Sequence, residues 1–175
     1  MVPRVTNAHH EIERVWVLRE VPVIPAGAEV WEIEQGYLPQ PSVRDDLQRA
    51  RYPEGRLRRV TLALGEQRFF HTRKTGSGLV RVEHEREIDC KEFDELWPGT
   101  VGKRITKTRY RVREAGLVWE VDVFRDVRVD ECALVMVEVE LEREDQAATL
   151  PSWIAPLVVK EVTTAAHYRN SALAH

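Results

Sequence analysis

Cysteine is almost absent from this chain of 175 residues: only Cys90 and Cys132 occur, too few for a disulfide framework and without the CxxC or Cys/His spacing of a zinc site. Reduced thiols are expected. No run of about 18 apolar residues exists, so a membrane-spanning helix is excluded. Residues 1–13 also lack the basic start and apolar stretch of a secretory leader, and a cytoplasmic protein with no membrane partner is expected. No internal repeat, low-complexity tract or linker is present. With 43% apolar residues the whole chain, 1–175, reads as one domain. Charge of one sign is also lacking: the net is only −3, which gives no reason to expect nucleic acid.

What the chain has in quantity is charge of both signs, 26 basic and 29 acidic groups in 31% of its residues. These charges sit in stretches of period-2 alternation bounded by Gly, Pro, Asn and Asp, the signature of antiparallel strands. The pattern predicts eight strands, near 10–20, 28–38, 55–64, 67–75, 78–88, 103–114, 117–126 and 133–143. Tight turns are expected around Gly65, at Gly76-Ser77-Gly78 and around Gly116, where glycine accepts positive φ. Asp89 ahead of Cys90–Trp97 predicts an N-capped short helix with Phe93, Leu96 and Trp97 on one face, stopped by Pro98-Gly99. The tail from Gln146 is expected to hold short helices and loops. The expected architecture is mainly β: an eight-stranded antiparallel β-barrel tunnel with a few peripheral helices.

Alternation also sorts side chains by face. Glu138, Glu140 and Glu142 oppose Val137, Val139 and Leu141; Glu11 and Glu13 share a face, as do Glu120 and Asp122, and Glu83 and Glu85. Arg56 pairs with Arg58, Lys107 with Arg109 and Arg111, and Lys74 with Thr72. On any single strand this is what a solvated sheet face looks like. Across so many strands, aligned like charges persist only where counter-charges or metal face them. An eight-stranded barrel has room for side chains or one small ligand. Its carboxylate pairs suit Mg²⁺ or Mn²⁺, and its Arg and Lys suit a polyphosphate. The chemistry suggested is metal-assisted phosphoryl transfer.

These residues, taken in order, resemble the triphosphate tunnel metalloenzymes, or CYTH superfamily, in its small bacterial form. The resemblance rests on Glu11-Ile12-Glu13, Gln35-Gly36-Tyr37-Leu38, Arg56-Leu57-Arg58, Thr72-Arg73-Lys74, Glu83-His84-Glu85, Lys107-Thr108-Arg109-Tyr110, Trp119–Phe124, Val137–Leu141, Glu161-Val162-Thr163 and Tyr168-Arg169-Asn170. It implies that Glu11, Glu13, Glu138 and Glu140 hold metal, with Glu85, Glu120 and Asp122 as further candidates for metal or water positioning. It also implies that Arg56, Arg58, Lys74 and Arg109 bind phosphate oxygens, and that Arg169 closes one tunnel mouth. Lys107 resembles the lysine that helps activate the attacking water, although a simple phosphate contact explains it equally well. The opening motif departs from the family at Val15, which stands where a lysine belongs.

The family spans inorganic, thiamine and RNA triphosphatases and class IV adenylyl cyclases, and fold alone does not choose among them. Because no second domain would select an organic group, hydrolysis of inorganic tripolyphosphate to pyrophosphate and phosphate is expected. Thiamine triphosphatase or cyclase activity is the first alternative, and a polyphosphate- or nucleotide-binding protein without turnover the second. A homodimer is compatible with the sequence. His9 and His10 read as solvated, Gly76-Ser77-Gly78 as a turn, and Trp16, Trp31, Trp97, Trp119 and Trp153 as packing on the barrel exterior.

Overall fold

The computed structural model describes residues 12–39, 54–75, 82–143 and 145–175; the side chains of 74, 75, 82 and 83 lie outside the described set. The strands are β1 (Ile12–Leu18), β2 (Glu29–Leu38), β3 (Gly55–Leu62), β4 (Gln67–Thr75), β5 (Val82–Ile88), β6 (Arg104–Glu114), β7 (Leu117–Val129), β8 (Cys132–Leu141) and β9 (Val158–Glu161). Among the described residues two short helices, α1 (Cys90–Leu96) and α2 (Asn170–Leu173), accompany them. No helix among the described residues is long and apolar enough to cross a membrane.

All nine strands join one antiparallel sheet in the order β5-β4-β3-β2-β6-β7-β8-β1-β9. The expected antiparallel, mainly β architecture is present, with one strand more than predicted. That strand, β9, was hidden in the tail because four residues beside Pro156 are too short to show a period. The ladder has two ends, at β5 and β9, so among the described residues it is a curled ribbon and not a hydrogen-bonded ring. The curl is shown by Arg58 on β3, which feels the charge of Glu120 on β7, three strands away. In a flat sheet three strands span about 14 Å.

The local signals act as expected. Asp89 caps α1 by accepting a hydrogen bond from Glu92 N–H (2.8 Å), and Phe93 and Leu96 are buried against Leu38, Leu57, Phe69 and Ile88 on the convex face. Gly116 turns β6 into β7 at φ 78°, with Ala115 beside it at 52°. Gly36, inside β2, permits a close approach: a Cβ there would meet the Thr100 side chain at 2.6 Å. The rest of the convex core is Trp16, Trp119, Val121, Val137, Val139 and Leu141, covered by the stretch carrying Leu150, Trp153 and Ile154. Each such side chain removed from water contributes about 1.5–3 kcal/mol.

One end of the concave face is apolar. Val15, Val17, Ile105, Phe124, Leu134 and Met136 cluster there beneath Val162, Leu173 and Ala174 of the tail. The tail leaves β1 at Val162, whose N–H donates to the Val15 carbonyl (2.8 Å), and reaches β6, where Arg104 and His175 exchange backbone hydrogen bonds of 3.1 and 3.2 Å. Since β8 and β7 lie between β1 and β6, the tail crosses the concave face and covers that end.

Candidate active site

Beyond the apolar end the concave face turns polar, and register decides which charges meet. On β6 and β7, Arg109 stands opposite Asp122 and Arg111 opposite Glu120, while Glu120 in turn stands opposite Glu138 on β8. The Arg109 guanidinium donates to both Asp122 oxygens at 2.7 Å and also to Glu120 and Glu138. Arg111 donates to Glu120 (2.7 Å) and Glu29 (3.2 Å). Lys107, one turn of the pleat deeper and 1% exposed, donates from Nζ to Asp122 Oδ2 at 2.5 Å, with the Phe124 ring 5.3 Å away.

Burial and these neighbours shift the acidities. Burial, reinforced by Arg109, pulls Lys107 below the ordinary lysine range, against the pull of Asp122. Asp122 and Glu120 are pushed up by burial, but the cations together outweigh that and hold both below the usual carboxylate range, Arg109 with Lys107 for Asp122 and Arg109 with Arg111 for Glu120. Glu138 is pushed up to about 7, because burial, together with the charges of Asp122 and Glu120, outweighs its contacts with Arg109 and Lys107. Its register partner on β1 is Val15, an apolar side chain 8% exposed, so β1 supplies no cation at that position.

A second cluster lies across the trough on β3, β4 and β5. Glu85 accepts from Arg58 through both oxygens (3.0 Å), from Arg56 (3.2 Å) and from Thr72 Oγ1 (2.8 Å). Even so, the buried Nε atoms of Arg56 and Arg58 have no partner among the described residues. Burial, with Arg56 alongside, lowers Arg58 to about 10. An orphaned buried donor costs about 1–3 kcal/mol, which an incoming anion oxygen would relieve. Beside them Gln35 Nε2 donates to Tyr37 Oη (2.5 Å), and burial pushes the Tyr37 phenol up to about 12.

On β1 and β8, Glu13 and Glu140 are exposed register partners on the same face as Glu138. Directly opposed like charges are unfavourable unless a cation lies between or beside them. Their all-oxygen donor set fits a hard divalent cation, which is normally held by one or two carboxylates and completed by substrate phosphates. Among the described residues no three acidic, His or Cys side chains converge on one ion position.

The structure therefore brings Lys107, Arg109, Glu120, Asp122 and Glu138 into one network and Arg56, Arg58 and Glu85 into another. Glu85 sits among cations, across the trough from the β1 and β8 acids. Arg169 is exposed, immediately before α2. Lys74 lies in β4 in register with Glu83, but its side chain, like Glu11, His9, His10 and the Gly76-Ser77-Gly78 segment, lies outside the described residues. Trp31 corrects the expectation of an exterior tryptophan: it faces Arg109 in register, with the Arg111 guanidinium 4.2 Å from its ring on the concave side. Alternation along β2, which puts Trp31 with Ile33, Gln35 and Tyr37, carried that signal. Arg111, Gln35, Thr72 and Asn170 were not among the predicted site residues. Arg111 continues the Lys107-Arg109 period, but Asn170, whose Oδ1 lies 3.5 Å from Lys107 Nζ, belongs to a strand-free segment with no period to read.

No family model matches the chain. The chain is similar to an inorganic triphosphatase of Nitrosomonas europaea, 40% identical over 120 residues that cover 66% of this chain and 75% of that protein. It is also similar to an inorganic triphosphatase of Acetivibrio thermocellus, 36% identical over 100 residues covering 57% and 60%. Among solved structures, the crystal structure of the inorganic triphosphatase NE1496 matches with a TM-score of 0.59 at 33% identity, over 97% of each chain.

Proposed function

Because the chain belongs to the inorganic triphosphatases of the triphosphate tunnel (CYTH) superfamily, we propose that it hydrolyses inorganic tripolyphosphate to pyrophosphate and phosphate on the concave face of its sheet. One observation carries the placement: Arg56 and Arg58 stand side by side, half-buried, with buried Nε donors that no group among the described residues accepts, facing a second cationic centre at Lys107 and Arg109. Such an array suits a compact polyanion. Arg56 and Arg58 bind phosphate oxygens as planar forks, and Arg109, pinned by three carboxylates, presents a fixed positive field. Lys107 is held beside Asp122 at the boundary between the covered end and the polar cavity, where it either takes a proton from the attacking water or contacts a phosphate oxygen.

Metal dependence is general in this family. Mg²⁺ or Mn²⁺ would be held by Glu13 and Glu140, with Glu138 and Glu11 alongside, and when bound would neutralise charge developing on the phosphate oxygens. Glu120 and Asp122 act differently, each neutralising an arginine and fixing its orientation.

Phosphate release from tripolyphosphate, ATP and thiamine triphosphate, each with Mg²⁺ and with Mn²⁺, tests this reading. Turnover of tripolyphosphate that needs metal and disappears in Glu140→Gln is the expected outcome. Product from thiamine triphosphate or cyclic AMP from ATP would move the assignment to those activities, and binding without product would make the protein a polyphosphate binder. The binder reading draws on Val15, which removes a cation opposite Glu138. Restoring it, as Val15→Lys, is expected to tighten triphosphate binding by about 10–100-fold, the worth of one charge-assisted contact. Calorimetric titration measures it, and an unchanged Kd would show that position 15 does not reach the ligand.

A further inference from the structure

The tail does more than cover one end of the trough. Asn170, its side chain reaching back from the first residue of α2, brings Oδ1 to 3.5 Å from the Lys107 ammonium, 63 residues away in sequence. Lys107 has three donors and is 1% exposed, so each donor needs a direction inside the protein. Asp122 takes one at 2.5 Å, and the Phe124 ring lies 5.3 Å from the ammonium. Asn170 supplies the second acceptor, and it does so as a neutral amide.

Asn170 is itself well fixed. Its carbonyl accepts from Ala174 N–H (3.1 Å), Ala174 is 4% exposed in the apolar cluster with Ile105 and Phe124, and the next residue, His175, exchanges backbone bonds with Arg104 of β6. Arg104 lies three residues before Lys107 on the same strand, so the tail and the lysine are referenced to one stretch of backbone.

We propose that Asn170 is a positioning residue for Lys107, which makes the C-terminal segment part of the reaction site. It fixes where the ammonium points and so leaves the remaining N–H, or the lone pair after deprotonation, directed into the cavity. This rests on the reading that the concave face turns over triphosphate. Binding is carried mainly by Arg56, Arg58 and Arg109, so loss of Asn170 acts on the chemical step and not on affinity. Small misplacements of a reacting group cost about 10–100-fold in rate.

The test compares wild type, Asn170→Ala, Asn170→Asp, which keeps an acceptor oxygen at the same reach, and Ser171→Ala, an exposed neighbour. Steady-state hydrolysis of tripolyphosphate and melting temperature are measured for each. Expected results are kcat lowered at least tenfold in Asn170→Ala with KM within about twofold, a melting temperature unchanged, recovery of most of kcat in Asn170→Asp, and Ser171→Ala indistinguishable from wild type. An Asn170→Ala enzyme with wild-type kcat overturns the assignment alone. A fall of kcat matched by a lower melting temperature and equally deep in Asn170→Asp would make the contact merely structural, which also overturns it. Absence of turnover in the wild type overturns the functional reading, and this assignment with it.

Discussion

Replacing Arg109 by alanine is expected to lower stability by about 3–5 kcal/mol and to abolish triphosphate turnover. The size follows from what the guanidinium does. It donates to both oxygens of Asp122 and to Glu120 and Glu138, and three carboxylates from two neighbouring strands share it as a counter-charge. Without it, among the described residues Asp122 retains only Lys107 and Glu120 only Arg111, while Glu138, already pushed up to about 7, loses its main cation. Breaking a buried pair by deleting one member leaves the other as an uncompensated charge, and that penalty, more than any lost attraction, sets the magnitude. Arg109→Lys is expected to recover little, since a compact ammonium lacks the planar fork that spans both Asp122 oxygens, Glu120 and Glu138 at once. Denaturant unfolding at neutral pH measures the loss. Adding Glu138→Gln to Arg109→Ala is expected to return part of it by removing one orphaned charge, and a loss below about 1 kcal/mol would mean that the acids find other counter-charges.

Lys107→Met is expected to lower kcat by about 10²–10⁴-fold while leaving the fold intact. Methionine fills a similar volume, and Asp122 keeps its two bonds from Arg109. The pH profile separates the two roles open to this lysine. Burial and Arg109 lower its pKa, so its proton is lost below the ordinary 10.5. If the free amine acts as base, kcat rises with pH through that inflection. If the ammonium contacts phosphate, kcat falls through it. Stability carries the same signature: between the folded and unfolded values the unfolded chain binds the extra proton, so stability increases with pH across that window. Lys107→Met is expected to remove both dependences, and an unaltered kcat profile in the variant would take Lys107 out of the reaction.

Part of the site is legible in the sequence. Glu120 and Asp122 on one side of Trp119, Val121 and Val123, or Lys107 and Arg109 two residues apart, announce their face through the pleat, because alternation is a local property of extended backbone. Pairing is not local. Glu85 and Glu138 look alike in sequence, each an acid in an alternating strand, yet register puts Glu85 among Arg56, Arg58 and Thr72 and puts Glu138 opposite Val15. Trp31 was misplaced because an aromatic residue in a strand reads as core; alternation with Gln35 and Tyr37 carried its face, and Arg109 across the ladder with Arg111 over its ring shows that this face is the charged side.

By itself, the sequence determined that this protein is mainly antiparallel β, that Asp89 starts a short helix, that Gly65 and Gly116 sit at turns, and that acids and bases share the same sides of their strands. Each is settled within a few residues by backbone dihedral preference, capping or period. The tertiary structure alone decided that β1 lies between β8 and β9, that the tail crosses to β6 and sets Asn170 against Lys107, and which cation answers which carboxylate. Those depend on strand order and curl, which bring together residues dozens of positions apart, and no spacing along a chain encodes a distance across a sheet.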